Sequence, residues 1–384
     1  MNKHIFNYLI LGGIALLLGA CNDSESKLLE PKVYFESKEY NLSVEDDDVL
    51  TFDLTSRLST MTSSQVDVSY TIADPSVVDE YNAKYGTVYE MFDASNVKMS
   101  STTSAIPSGK LYADNVKMEL SSLKTLKEGK SYVLPVRVQS ASVPTLSGTS
   151  IAYFFLSKPI KITKVGKFSN TYISIKYPVG TYFSSFTYEA LIYVNSFASN
   201  NTIMGTEGVM IFRIGDAPGV PKDVLEAAGT QNYHTTEALK TGRWYHVALT
   251  YDQPSGKTVI YVNGSKWAGS DWGLPGFDPN SDVGFNIGRI PKFPWGERPL
   301  NGKMSEVRVW SVARTENQLK QNMLGVDPAS DGLVLYYKLD GSETQEGGVI
   351  KDATGRLNGT TSGVTIETLP TPVSYTHLRA HETT

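Results

Sequence analysis

The side chains that could do chemistry in this 384-residue chain are few, and most lie in its second half. All five tryptophans fall between Trp244 and Trp310. Trp244 and Trp310 sit in alternating apolar stretches, WYHVALTYD and MSEVRVWSV, and are expected in a core. Trp267, Trp272 and Trp295 fall in Gly/Pro-rich segments, SKWAGSDWGLPGFDPNSD and PKFPWGERPL. A large aromatic in such a segment either plugs the edge of the fold or presents a platform. A flat indole suits the apolar C–H face of a sugar, with polar neighbours meeting the hydroxyls. Trp272 and Trp295 lead as platform candidates, with Trp267 and Tyr233 behind them. Asp271 and Arg298 are near enough in sequence to bond hydroxyls. Asp271, Asp278, Asn280 and Asp282 could instead gather oxygens around calcium. Their spacing is not that of an EF-hand loop, and turn chemistry accounts for Asp-Pro-Asn-Ser-Asp without a metal. The metal reading names Asp271, Asp278 and Asp282.

Hydrolytic chemistry finds less support. Glycoside hydrolysis normally needs two carboxylates facing across a bond. The stretch FTYEALIYV holds only Glu189, and MSEVRVW only Glu306. Isolated carboxylates of this kind are expected to be solvated or salt-bridged. His234 and His246 form no His-x-x-x-His or Glu-flanked pair, which argues against a zinc hydrolase. His246 shares a strand face with Trp244 and is expected to be a hydrogen-bonded structural residue. No Gly-x-Ser-x-Gly elbow supports a serine nucleophile.

The elements that position these residues read as strands. RWYHVALTYDQPSGKTVIYVNGSKWAG alternates with period two around Pro/Gly/Asn punctuation, the signature of a hairpin. Abundant tyrosine (22) and glycine (32) with few helix-periodic segments point to an all-β protein. The net charge of −5 argues against nucleic acid and against a basic membrane-surface patch. Residues 32–157 divide into short strands interrupted by one helix. Asp74 is its expected N-cap, Pro75 its first residue and Gly86 its left-handed stop. This pattern predicts an immunoglobulin-like sandwich. Residues 158–169, with four lysines, a proline and a glycine, are expected to be a linker. Residues 170–370 predict a larger jelly-roll sandwich, with one helix capped by Thr315 and Gln318.

The chain ends carry signals of their own. Lys3 and the apolar stretch Ile5 to Leu18 form a signal-like segment over residues 1–20. Leu18-Gly19-Ala20-Cys21 resembles the bacterial lipobox, at which the signal is removed and the cysteine lipidated. Cys21 is the only cysteine, which suits an anchor better than a redox role. Residues 21–31 read as a polar tether, and Asp23 and Glu25 resemble the signal that sends lipoproteins to the outer face in Bacteroides-like bacteria. The expectation is an outer-membrane, surface-exposed protein that meets the membrane only through lipid. Residues 371–384, with VSYTHLRAHET, resemble the translation of a sequencing-library adapter. That sets aside His377 and His381 and implies a lost natural C-terminus.

Two further resemblances cover most of the chain. DEYNAKYGTVYEMF, IPSGK and LKEGKSYVLPVRV resemble an N-terminal domain of unknown function in surface lipoproteins and glycan-processing proteins of Bacteroides-like bacteria. WYHVALTYD, YVNG, FNIGR, LNGKMSEVRVWSVART, LVLYYKLDG and IKDATGRLNGT look like the laminin-G / concanavalin A-like lectin–glucanase superfamily. Glucanases of that fold carry Glu-x-Asp-x-x-Glu on one concave-face strand, a spacing not found in this sequence. The superfamily often binds calcium at the sandwich rim, and Glu306 falls in one of its structural motifs. The implied function is non-catalytic glycan binding, with a polysaccharide ligand and neighbouring glycan-uptake proteins as partners. Adhesion to a protein ligand and an unrecognised glycosidase are the alternatives.

Overall fold

A computed structural model of the protein describes residues 30–44, 48–216, 218–273 and 275–379. Cys21, with its signal segment and most of its tether, lies outside the described residues, as does His381. Residues 33–157 form an immunoglobulin-like sandwich. One sheet runs Glu39–Ser43, Ile151–Ser157, Ser131–Gln139, Val66–Ile72, Thr103–Ile106, and a second joins Leu50–Leu54, Val116–Leu120 and Val97–Met99. Alternation along Val66–Ile72 and Val116–Leu120 buries every second residue against Leu134, Val136, Phe154 and Leu156.

The helix Ser76–Tyr85 lies on the outer face of the larger sheet. Val77, Val78 and Tyr81 pack there on Val133, Tyr153 and Phe155. Its start follows the sequence signal: Pro75 already has helical angles, and Asp74 Oδ1 accepts from Ser76 N at 2.9 Å. Gly86 ends it in the left-handed conformation, φ 59°.

The second unit is a two-sheet sandwich of concanavalin A-like type. One sheet runs Ser265–Asp271, Lys257–Val262, Trp244–Asp252, Phe186–Ser196, Asn301–Trp310, Ile162–Ser169, Thr365–Val373, with Leu333–Tyr337 also pairing Asn301–Trp310. The facing sheet is nine-stranded, and five of its strands bear on the site. They run in order Asn232–Ala238, Val220–Gly229, Met210–Asp216, Asn201–Thr206, Phe285–Ile287. The hairpin supplies Tyr245, Val247, Leu249 and Tyr251 from one strand and Ile260 and Val262 from its return to the core between the sheets. The next turn is Asn263-Gly264, both at positive φ (51° and 76°), the pair a type I′ turn requires.

Two segments differ from the sequence reading. Residues 158–169 are not all linker. Ile162–Ser169 is a strand between Asn301–Trp310 and Thr365–Val373, with Ile162, Val165 and Phe168 buried. Lys164 and Lys167, which suggested a linker, occupy its solvent-facing positions. Residues 371–379 also hold structure: Thr365–Val373 runs to its end, and Tyr375–Arg379 is a short helix. Leu378 fills an apolar gap beside Val165 and Leu191, and its carbonyl accepts from Asn263 Nδ2 at 3.0 Å.

Candidate functional site

Three places gather charged or aromatic residues, and burial decides between them. The first lies on the outer side of the eight-stranded sheet. Alternation along Phe186–Ser196 sends Phe186, Tyr188, Ala190 and Ile192 into the core, leaving Glu189 on the opposite face. Glu189 is nevertheless 0 % exposed. His246 Nε2–H donates to its Oε2 at 2.9 Å, and Arg314 Nη1 to its Oε1 at 2.8 Å. Trp310 Nε1 also donates to it, and Arg308 Nη1 stands 3.3 Å away. Arg308 continues to Glu306 (2.8 Å) and to the carbonyl of Asn322 (3.0 Å), and Arg314 to Asn322 Oδ1 (2.7 Å).

The electrostatics follow from that enclosure. Burial alone would raise the Glu189 carboxyl, but Arg308, Arg314 and the His246 hydrogen bond outweigh it and hold it well below the usual carboxylate range. Burial lowers His246 despite the Glu189 hydrogen bond, so the ring is neutral. Burial raises Glu306, against the pull of Arg308. Glu189, Glu306 and His246 are thus inaccessible to any ligand. They seat the segment carrying the helix Glu316–Gln321, which Thr315 and Gln318 cap reciprocally.

The second place is the end of the sandwich where the sequence suggested a platform. Trp272 is 5 % exposed and belongs to the core between the sheets. Tyr233 meets it edge-on at 5.5 Å and packs on the same core. The Gly/Pro-rich surroundings marked a loop, but that loop folds the indole into the open end of the sandwich. Trp272 is therefore a plug, and neither it nor Tyr233 offers a free ring face there. Trp267 lies in the strand Ser265–Asp271, half-buried against the core cluster.

The candidate calcium ligands do not converge either. Asp278 Oδ1 accepts from Asn280 N (2.8 Å) within its own turn, and Asn280 Oδ1 accepts from Tyr177 N (3.1 Å), which ties that turn to a distant segment. Asp271 ends an edge strand, opposite Lys257. Among the described residues no three His, Cys, Asp or Glu side chains meet in a metal-holding group.

The third place is open to solvent, on the outer face of the nine-stranded sheet. In Met210–Asp216, Met210, Phe212 and Ile214 enter the core and Ile211 and Arg213 face outward. In Val220–Gly229, Leu225 and Ala227 face inward, so Glu226 and Ala228 share the outer face. Arg213 and Glu226 are cross-strand partners, with Arg213 Nε donating to Glu226 Oε2 at 2.7 Å. Arg213 also reaches Asp216 Oδ2 (2.5 Å) and Glu207 Oε1 (3.5 Å), and Glu207 Oε2 is 2.7 Å from Arg298 Nη1. Arg213 and Glu226 form the floor, while the side chains of Asp216, Glu207 and Arg298 remain partly accessible.

Trp295 stands beside this floor at 81 % exposure. Ile290 and Phe293 dock its loop on Ile211 and Ala228. Glu297 closes the loop by accepting from Lys292 N (2.6 Å) and Arg289 Nη1 (2.5 Å), contacts that hold its carboxyl below the usual range. The Phe293 ring meets Trp295 edge-on at 5.4 Å, and the Arg298 guanidinium lies 4.8 Å above Phe293. A continuous path of contacts thus joins the exposed indole to the polar floor. Of the sequence candidates, Trp295 and Arg298 both meet Phe293, whereas Asp271 and Trp267 lie in the edge strand of the other sheet. Sequence reasoning missed Glu207, Arg213, Asp216 and Glu226. The available signal was Arg213, a lone cation at an outward position of the apolar strand VMIFRIGD.

Comparison with known proteins agrees with this architecture. The family model of the concanavalin A-like lectin/glucanases superfamily matches residues 167–320, and a model described as an N-terminal domain matches residues 29–145. No curated protein matches the chain. The crystal structure of a candidate carbohydrate-binding protein from Bacteroides ovatus is 76 % identical. That alignment covers 90 % of this chain and 99 % of the other, with a TM-score of 0.64. A heptameric pentraxin from Limulus polyphemus is 15 % identical over 54 % of this chain and 96 % of its own, with a TM-score of 0.36. At that score the second likeness carries no argument.

Proposed function

Because the chain belongs to the concanavalin A-like lectin/glucanases superfamily, we propose that it is a non-catalytic glycan-binding lipoprotein of the outer-membrane surface. In this reading it is anchored through Cys21 and captures polysaccharide for neighbouring uptake proteins. The observation that carries the reading is the exposed Trp295 indole beside the Arg213 floor. The indole offers a flat apolar surface to the C–H face of a sugar. Glu207 and Asp216 accept from hydroxyls, and Arg298 donates to ring or hydroxyl oxygens. The floor holds two guanidiniums against three carboxylates, which suits a neutral, hydroxyl-rich ligand. The relative from Bacteroides ovatus, described as a candidate for carbohydrate binding, supports the same class.

Absence of turnover is part of the proposal. Each carboxylate of the open face is engaged by a guanidinium, so no acid–nucleophile pair faces a free space. The test is a panel of neutral polysaccharides in affinity electrophoresis, followed by long incubation and analysis for released oligosaccharide. Retardation without release is expected. Sustained release by the purified protein refutes the non-catalytic reading, and retardation equal in Trp295→Ala refutes the site. Cys21→Ala should move the protein from the membrane to the soluble fraction, and unchanged fractionation refutes the anchor.

A further inference from the structure

The two sandwiches meet along the helix Glu316–Gln321, and the join is specific. Thr315 Oγ1 donates to Gly86 O (2.5 Å), Asn317 Nδ2 to Tyr85 O (2.6 Å) and Asn322 Nδ2 to Gly129 O (3.3 Å). Lys130 bridges to Asp327 across the same boundary at 3.4 Å. Gly129, at φ 77°, lets the backbones touch: a Cβ there would stand 2.4 Å from the Val326 carbonyl carbon. Beside these contacts the units diverge around a cleft of 910 Å³. Its volume is in the range of small-molecule and oligosaccharide sites.

We propose that this interdomain cleft is a second ligand site, for an oligosaccharide bearing acidic groups. Four observations support it. The Tyr85 and Tyr89 rings line one wall, half-buried, in an aromatic cluster with Tyr81 and Phe155 that fixes their orientation. Gln321 lines the other wall. Its Oε1 accepts from Val88 N at 3.3 Å, while its buried Nε2 has no partner. A buried donor without an acceptor is costly, and a turn of the Gln321 amide toward the cleft would let a sugar oxygen satisfy it. The charged lining is four lysines, Lys130, Lys158, Lys161 and Lys320, against Glu39 alone. Lys130 is paired with Glu90 and Lys320 with Glu316. Lys158 Nζ donates to the Lys124 carbonyl at 2.6 Å rather than to a carboxylate, and Lys161 is exposed, so the lining is positive in a chain whose net charge is −5.

This site differs in sign from the Arg213 face, where carboxylates outnumber guanidiniums, and it draws on both units. Ser374, Tyr375 and Thr376 also line the cleft, whereas the tyrosines, Gln321 and the lysines that support the proposal lie outside residues 371–384. The experiment is calorimetric titration of the full chain with uronate-bearing and sulfated tetrasaccharides and with a neutral tetrasaccharide. At least one acidic member should bind. Binding should fall tenfold or more in the charge-reversal variant Lys158→Glu/Lys161→Glu and in Tyr89→Ala, and persist in Trp295→Ala. Unchanged melting of the charge variant keeps its loss attributable to the ligand. If no acidic member binds, or if both cleft variants bind as the parent does, the proposal is overturned. If binding is lost only in Trp295→Ala, the acidic sugar occupies the other face and the cleft site is likewise refuted. Failure of Trp295→Ala to affect the neutral sugar would count against the first site alone.

Discussion

Trp272 and Trp295 lie in similar Gly/Pro-rich sequence, yet replacing each by alanine should have opposite consequences. Trp295 is 81 % exposed, so its loss should change stability by no more than about 0.5 kcal/mol. A sugar covering one indole face removes roughly 100 Å² of apolar surface, about 2.5 kcal/mol at ~25 cal/mol per Å². Stacking geometry adds up to about 1 kcal/mol, and ordering the ligand takes back a similar amount. A net loss of about 2–3 kcal/mol weakens binding roughly thirtyfold to 140-fold. Trp272 is 5 % exposed among core residues of both sheets, so Trp272→Ala leaves a cavity costing about 3–5 kcal/mol. In a unit of this size that lowers melting by roughly 6–20 °C. The assay pairs thermal melting with affinity for a neutral polysaccharide, measured well below the melting point. Trp295→Ala should lose affinity and keep its melting temperature, and Trp272→Ala should do the reverse. Equal melting losses in both variants would show that exposure does not separate their roles. Intact affinity in Trp295→Ala would remove the platform from the mechanism.

The buried network makes two further expectations, and the separated aspartates a third. Glu189→Ala strands Arg308 and Arg314 without their carboxylate and should cost about 3–5 kcal/mol in denaturant unfolding; a cost near zero would refute the pairing. His246 is lowered from 6.5 in the fold, so the unfolded chain takes up its proton first. Stability from His246 is present above pH 6.5 and declines as pH falls below it, by at most about 1.4 kcal/mol per unit. Glu189, also lowered, extends the acid loss below pH 4.5, while Glu306, raised, contributes the opposite way as pH climbs through its folded value. His246→Gln should flatten the slope between pH 6.5 and 5, and an unaltered slope would assign it elsewhere. Since Asp271, Asp278 and Asp282 do not converge, EDTA should leave melting unchanged; a fall reversed by calcium would refute that reading.

Local chemistry made much of the fold legible. The hairpin around Gly256, the Asp74 and Thr315 helix starts and the Gly86 stop depend on residues adjacent in sequence, and each stands as its pattern suggests. Where several lysines masked an apolar alternation, as in Ile162–Ser169, composition misled, because exposed strand positions and linkers recruit the same residues. The strand Val220–Gly229 carries little signal of its own: VPKDVLEAAG is poor in β-branched and aromatic residues, and only its neighbours make it a strand. The aromatic inventory was also legible, since sequence alone singled out Trp272 and Trp295. Which of them meets solvent was decided by the tertiary structure, because burial depends on where a loop folds back rather than on its composition. The same holds for Arg213, Glu226, Glu207 and Arg298, which converge only because strand pairing and a docked loop bring them to one face. Sequence carries the period of each strand. Register and the path of the loops, which no local pattern encodes, determine which side chains become neighbours.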